Sequence, residues 1–123
     1  MSKKIFIVGR SEQAEAIWDL LLLQEYQVLT ASSGLEALHI IKEGASFDVV
    51  LLDERVHDME GLILMQILRF HGVTAPVVLL ISGLNYSDDI YLGFGIAAVL
   101  RKPSCDILPI LDKLGENVFG LEE

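Results

Sequence analysis

Cysteine occurs once, at Cys105, in a chain of 123 residues. A lone thiol forms no internal disulfide, and no Cys/His group with zinc-ligand spacing accompanies it. Proline is scarce too, at three residues, and the ten glycines follow no Gly-x-y period, which excludes collagen-like and low-complexity sequence. No apolar run approaches the ~20 residues of a membrane-spanning helix. Ser2-Lys3-Lys4 leads into a strand-like stretch rather than a long apolar leader, so a cytoplasmic location is expected. Basic residues are also few: 9 Lys and Arg stand against 18 Asp and Glu, for a net charge of −9. Such a surface repels duplex DNA and anionic membranes at long range, so neither is expected as a direct partner. Solubility alone accounts equally well for the charge.

What is present is apolar. Hydrophobic residues make up 52% of the chain, too many for a disordered one, and the length suits one domain spanning residues 1–123. Its core needs neither disulfide nor structural metal. Apolar runs recur at Ile5–Val8, Val49–Leu52, Val77–Ile81 and Ala97–Leu100, with a weaker one at Gln27–Thr30. Unalternated runs rich in Val and Ile suit strands buried on both faces, as in a parallel sheet. Segments with helical spacing lie between them. Ser11–Gln24 places Ala14, Ile17, Trp18, Leu21 and Leu22 on one stripe, with Ser11 as cap. Ser33–Glu43 does so through Leu35, Leu38 and Ile41, with Gly44 as its stop. Met59–Phe70 follows, then a shorter Asn85–Phe94. Asp106 is expected to cap a last helix, with Pro109 in its first turn and Gly115 near its end. Strand–helix repeated five times, with right-handed crossovers on both faces, predicts a doubly wound three-layer α/β sandwich.

In an open parallel sheet, chemistry sits beyond the carboxyl ends of the strands. Those ends carry Gly9-Arg10, Asp53-Glu54, Ser82-Gly83 and Lys102-Pro103. An Asp, a Ser and a Lys at three strand ends say more together than any one alone. The motifs absent are informative too. Val8-Gly9-Arg10-Ser11 is neither a dinucleotide fingerprint nor a P-loop, and no Ser/His/Asp set has nucleophile-elbow spacing. A flavodoxin-like cofactor enzyme therefore has little in its favour.

With these residues in view, the chain resembles the receiver domain of two-component response regulators over nearly its whole length. The resemblance runs through Lys4–Val8, Asp48–Asp53, Met59–Leu62, Pro76–Gly83, Gly95 and Leu100–Pro103. It implies a flavodoxin-like fold, with a five-stranded parallel sheet in order 2-1-3-4-5 and five helices. It further implies a phosphoacceptor at Asp53, a hydroxyl for the phosphoryl oxygen at Ser82 and a charge partner at Lys102. Pro103 would follow that lysine, typically as a cis residue. A signalling module rather than an enzyme is expected, with a histidine kinase or an output domain as its protein partner.

The departures shape the expected function. Two acidic residues hold Mg²⁺ after the first strand of receivers, and Gly9 and Arg10 stand there instead. A hard cation wants several oxygen ligands, so Mg²⁺ binding is expected to be lost and no cofactor is expected. Phosphoryl transfer draws most of its rate from positioning and charge neutralisation, so acceptance at Asp53 should be crippled. Arg10 is expected either to pair with Asp53 as a bidentate substitute, which is the reading preferred, or to point into solvent. The aromatic switch position falls at Val99, which is stiff and has no ring to swing. His57-Asp58 replaces a Pro-Gly, and His57 reads as a solvated loop residue. Glu54 is expected to face away from Asp53, because strand side chains alternate. Tyr86, Tyr91, Phe94 and Ile107 cluster around the fourth helix and the start of the fifth, a side that the resemblance implies for partners and homodimers; exposed they would mark an interface, and core packing accounts for several of them equally well. The leading expectation is a receiver-like module acting by protein contact without phosphorylation. The alternative is a slow but genuine phosphoacceptor, modified on Asp53 by a histidine kinase.

Overall fold

The computed structural model describes residues 3–82, 88–102 and 104–118. Five strands, β1 (Lys4–Val8), β2 (Gln27–Ala31), β3 (Val49–Asp53), β4 (Val77–Ile81) and β5 (Ala98–Arg101), form one sheet in the order β2-β1-β3-β4-β5. Every pairing is parallel: Ile5 faces Val49, Val50 faces Val77, and Val78 faces Ala98. The helices are α1 (Glu12–Leu23), α2 (Gly34–Lys42), α3 (Gly61–Phe70), α4 (Asp88–Gly93) and α5 (Leu108–Val118). Fold and strand order are those expected.

Alternation along the strands builds two cores. Phe6, Val8, Val50, Leu52, Leu79 and Ile81 face Ala37 of α2, Leu64, Met65 and Leu68 of α3, and Tyr91 of α4. Ile5, Ile7, Val49, Leu51, Val78, Leu80 and Leu100 face Ala14, Ile17 and Leu21 of α1 and Leu111 of α5. β4 is apolar and buried throughout, and β3 is apolar up to Asp53, because a helical layer covers each of their faces. Among the described residues no helix is long and apolar enough to cross a membrane.

Local signals set most helix ends. The Ser11 hydroxyl accepts from Ala14 N–H at 3.0 Å and the Ser33 hydroxyl from Glu36 N–H at 3.0 Å, two N-caps in extended backbone. Gly44 adopts φ +91 just past α2. Three details differ from expectation. Leu22 and Leu35, assigned to buried stripes, are exposed at the stripe edges. Asp106 does not cap α5, which begins at Leu108; Ile107 precedes it, its carbonyl accepting from Leu111 N–H at 2.9 Å. Burying the Ile107 side chain against the α1 layer outweighs a surface cap. Finally, α5 continues through Gly115 to Val118.

Candidate functional site

Parallel strands all end at one edge, so the sequence's separate strand ends meet there. Asp53 closes β3, opposite Leu80 of β4. Together with Ser11, Gln13, Glu54, Ser82 and Lys102 it lines an open cavity of about 840 Å³. The structure thus groups Asp53, Ser82 and Lys102 as expected. Pro103 and Tyr86 lie outside the described residues.

Asp53 is only 4% exposed, and both of its carboxylate oxygens are taken. Ser11 Oγ donates to Oδ1 at 2.6 Å and Ser11 N–H donates to Oδ2 at 3.0 Å. The carboxylate turns toward Gly9, which sits at φ +126, a left-handed conformation that suits glycine. A Cβ built on Gly9 would lie 2.7 Å from Asp53 Cβ and closer still to the carboxylate. Asp53 thus fills the space a side chain at position 9 would need, and its charge sits at the N-terminus of α1.

The expected Arg10–Asp53 pair is not formed. Arg10 points outward, and its Nε donates to Glu15 Oε2 at 3.0 Å. The turn at Gly9 directs the amide and hydroxyl of Ser11, not the guanidinium, at Asp53. An exposed pair leaves the guanidinium hydrated, avoiding the desolvation that pairing beside buried Asp53 would require.

Ser82 is occupied as well. Its N–H and Oγ both donate to Glu54 Oε1, at 2.9 and 3.1 Å. Glu54 therefore reaches across to the end of β4, and its charge helps raise the pKa of Asp53. Lys102 takes its place through the bond from its N–H to Ile81 O at 2.8 Å, and its ammonium lowers the Asp53 pKa through space. Val99 packs half-buried against the α2–α3–α4 core. Among the described residues no three His, Cys, Asp or Glu side chains are grouped to hold a metal ion.

Two contacts carried no signal in the sequence. The Asp58 carboxylate accepts from Gly34 N–H at 2.7 Å and Leu35 N–H at 3.0 Å, clamping the β3–α3 loop to the start of α2. The Gly34 bond, above all, holds the Asp58 carboxyl below its ordinary pKa. Buried Gln13 donates to Ser104 O at 2.7 Å and Leu100 O at 3.3 Å, tying α1 to the loop beyond Lys102. Between the surface and core readings of the fourth- and fifth-helix residues, the structure divides them. Tyr91 and Ile107 are core residues, one in each layer, and only Phe94 of the described three is exposed. Helical spacing places a residue on a stripe without saying which side of it faces the sheet.

Burial pushes the Asp53 carboxyl above its usual pKa, and the two Ser11 bonds and Lys102 offset only part of that rise. Between the ordinary aspartate value of ~3.9 and the raised one, the folded state binds the proton more tightly than the unfolded. This group's contribution therefore falls as pH rises through that window, the reverse of an ordinary ion-paired aspartate. Asp53→Asn keeps an oxygen for Ser11 N–H and offers its amide to Ser11 Oγ. It should raise Tm at pH 7, with the gain shrinking as pH falls and disappearing by about pH 3, where the carboxyl is protonated in both states. Thermal melts of both proteins across that range would show a constant or reversed difference if burial did not dominate.

The model of the response regulator receiver domain family matches residues 5–108. The sensor histidine kinase RcsC of Salmonella typhimurium is 35% identical over 85 residues, covering 68% of this chain and 9% of that protein. The cell cycle response regulator CtrA of Brucella ovis is 29% identical over 100 residues, covering 80% of this chain and 43% of that protein. The chain thus spans less than half the length of these curated relatives. Among solved structures, a CheY-like receiver domain from Methylobacillus flagellatus superposes with a TM-score of 0.78 at 25% identity, covering 93% of this chain and 99% of that one. A Francisella response regulator receiver domain gives 0.78 at 26% identity, covering 92% and 95%.

Proposed function

Since the chain belongs to the response regulator receiver domain family, we propose that it is a receiver that signals through protein contact, without magnesium-dependent phosphorylation of Asp53. One observation carries the reading: both Asp53 oxygens are bonded to Ser11, in the space left by the absent side chain at Gly9. Attack on phosphorus needs a free carboxylate oxygen in line with the leaving group and cationic charge on the phosphoryl oxygens. Here each oxygen is buried and already carries a hydrogen bond from Ser11, which weakens it as a nucleophile and narrows the approach to it. The incoming anion would then meet the Glu54 carboxylate, already on the hydroxyl of Ser82. Gly9 and Arg10 supply no carboxylate, so the Mg²⁺ that would offset this charge has no seat, and the module works with no cofactor.

The slow phosphoacceptor is the competing reading, favoured by the meeting of Asp53, Ser82 and Lys102 around one cavity. A histidine kinase would then be the donor. In either case the partner is a protein, and the charge of −9 disfavours direct nucleic-acid binding. The absence of a spanning helix among the described residues is consistent with a cytoplasmic setting.

Incubation with a small acyl phosphate and Mg²⁺, followed by intact-mass measurement, separates the two. A metal's share of transition-state stabilisation is several kcal/mol, so uptake should be about 1,000-fold slower than in a metal-binding receiver. It should also be indifferent to chelator. Rapid, chelator-sensitive gain of one phosphoryl group on Asp53 would establish the competing reading.

A further inference from the structure

Among the described helices, α3 alone has a span that contains no acidic residue. α1 carries Glu12, Glu15 and Asp19, α2 Glu36, α4 Asp88 and Asp89, and α5 Asp112 and Glu116. The single charge within α3 is Arg69, whose guanidinium turns back to donate to Val73 O at 2.9 Å and Ala75 O at 2.7 Å. The outward ridge of the helix is Ile63, Gln66 and Phe70, with Ile63 49% and Phe70 86% exposed. Glu60, at the N-cap just before the helix, lies 3.9 Å from the Arg55 guanidinium.

This combination selects an occupant. Two copies of a chain with net charge −9 repel one another, and the repulsion is weakest where no carboxylate faces outward. A basic partner would be drawn to the other four helices. An uncharged ridge with a nearly naked phenylalanine is where a like-charged copy can approach and bury apolar surface. Exposed Ile90 and Phe94 of the α4 region suit a copy less, because Asp89 adjoins Ile90 there, although Asp88 is ion-paired to Arg101 at 2.8 Å.

We propose that the α3 ridge is the interface between two copies of this chain, packed as antiparallel helices about a two-fold axis beside Gln66. The spacing is self-complementary. Ile63 and Phe70 stand seven residues apart, about 10.5 Å along the helix, with their midpoint next to Gln66. Antiparallel docking sets Phe70 of each copy against Ile63 of the other. It also brings the two Gln66 amides together at the axis, where each offers both a donor and an acceptor. Opposed helix dipoles favour the same arrangement. This surface is separate from the α4–α5 face named by the resemblance, and its test does not depend on the state of Asp53.

Sedimentation of the intact chain from low micromolar to near-millimolar concentration should show a reversible monomer–dimer equilibrium that tightens with added salt, as the repulsion is screened. Phe70→Asp acts twice in a symmetric contact and should weaken the dimer at least ~100-fold. Gln66→Glu places like charges at the axis and should weaken it at low salt, with recovery at high salt. Leu23→Asp, on the exposed end of α1, should change nothing. In a Cys105→Ser background, Gln66→Cys should oxidise to a disulfide-linked pair, a readout independent of the Phe70 variant's folding. A monomer throughout, a dimer indifferent to Phe70→Asp, or failure of the Gln66→Cys variant to cross-link would overturn the proposal.

Discussion

Gly9→Asp, the substitution that would return an acid to the end of β1, is expected to cost about 3 kcal/mol or more of folding stability. Three effects add. The backbone at Gly9 has φ +126, which side-chain-bearing residues rarely adopt. The new Cβ would sit 2.7 Å from Asp53 Cβ and 2.5 Å from its Cγ, so rotating the carboxylate away does not relieve the crowding. The new carboxylate would also lie beside a buried one whose pKa is already raised, and a like charge raises both further. Urea unfolding at pH 7 measures the sum. Gly9→Ala carries the steric part alone, so the gap between Ala and Asp should close as pH falls and both carboxyls take protons. An aspartate tolerated within ~1 kcal/mol of the parent would show that Asp53 turns out of its present seat easily. The occupied nucleophile would then be no obstacle to phosphorylation. If the loss appears as expected, position 9 and Asp53 have adjusted to one another, and restoring the family's acids one at a time cannot rebuild a metal site.

How much of this was legible depended on the range of each signal. Val49–Leu52 and Val77–Ile81 announce buried parallel strands by composition alone, and the topology then brings Asp53, Ser82 and Lys102 to one edge. Periodicity failed where a residue sat at the margin of a stripe. Leu22 and Leu35 proved exposed. For Tyr91 and Ile107 the residues left surface and core equally open, and the core holds both. At the site the misreadings were conformational. Arg10 and Ser11 are neighbours, and the turn at Gly9 decides which of them meets Asp53; no residue pattern reports that φ. Strand alternation turned Glu54 away from Asp53, but it gave no sign that the carboxylate would take the amide and hydroxyl of Ser82. Asp58 reaches the amides of Gly34 and Leu35 across 24 and 23 positions of chain, a pairing with no local trace. The position of each charge was legible and its partner was not, because a partner depends on backbone turns of one or two residues.

Ser11→Ala should be nearly as damaging as Gly9→Asp, for an electrostatic reason. The Ser11 hydroxyl donates to Asp53 Oδ1 at 2.6 Å and accepts from Ala14 N–H at 3.0 Å, so it serves as both a carboxylate donor and the cap of α1. Losing a cap costs ~1 kcal/mol, and losing a hydrogen bond to a buried charge costs ~2 kcal/mol, for a total of about 3 kcal/mol at pH 7. The Ser11 amide bond to Oδ2 survives, so the fold should hold. A double-mutant cycle separates the two roles. In an Asp53→Ala background the hydroxyl has only the cap to serve, and Ser11→Ala should then cost ~1 kcal/mol, a coupling of about 2 kcal/mol. Acid should shrink that coupling, since a protonated Asp53 asks less of its donors. Equal costs in both backgrounds would mean that Ser11 caps α1 and nothing more. Asp53 Oδ1 would then stand free at the end of β3, with only the amide bond to Oδ2 left, and inertness toward phosphodonors would rest chiefly on the missing metal ligands.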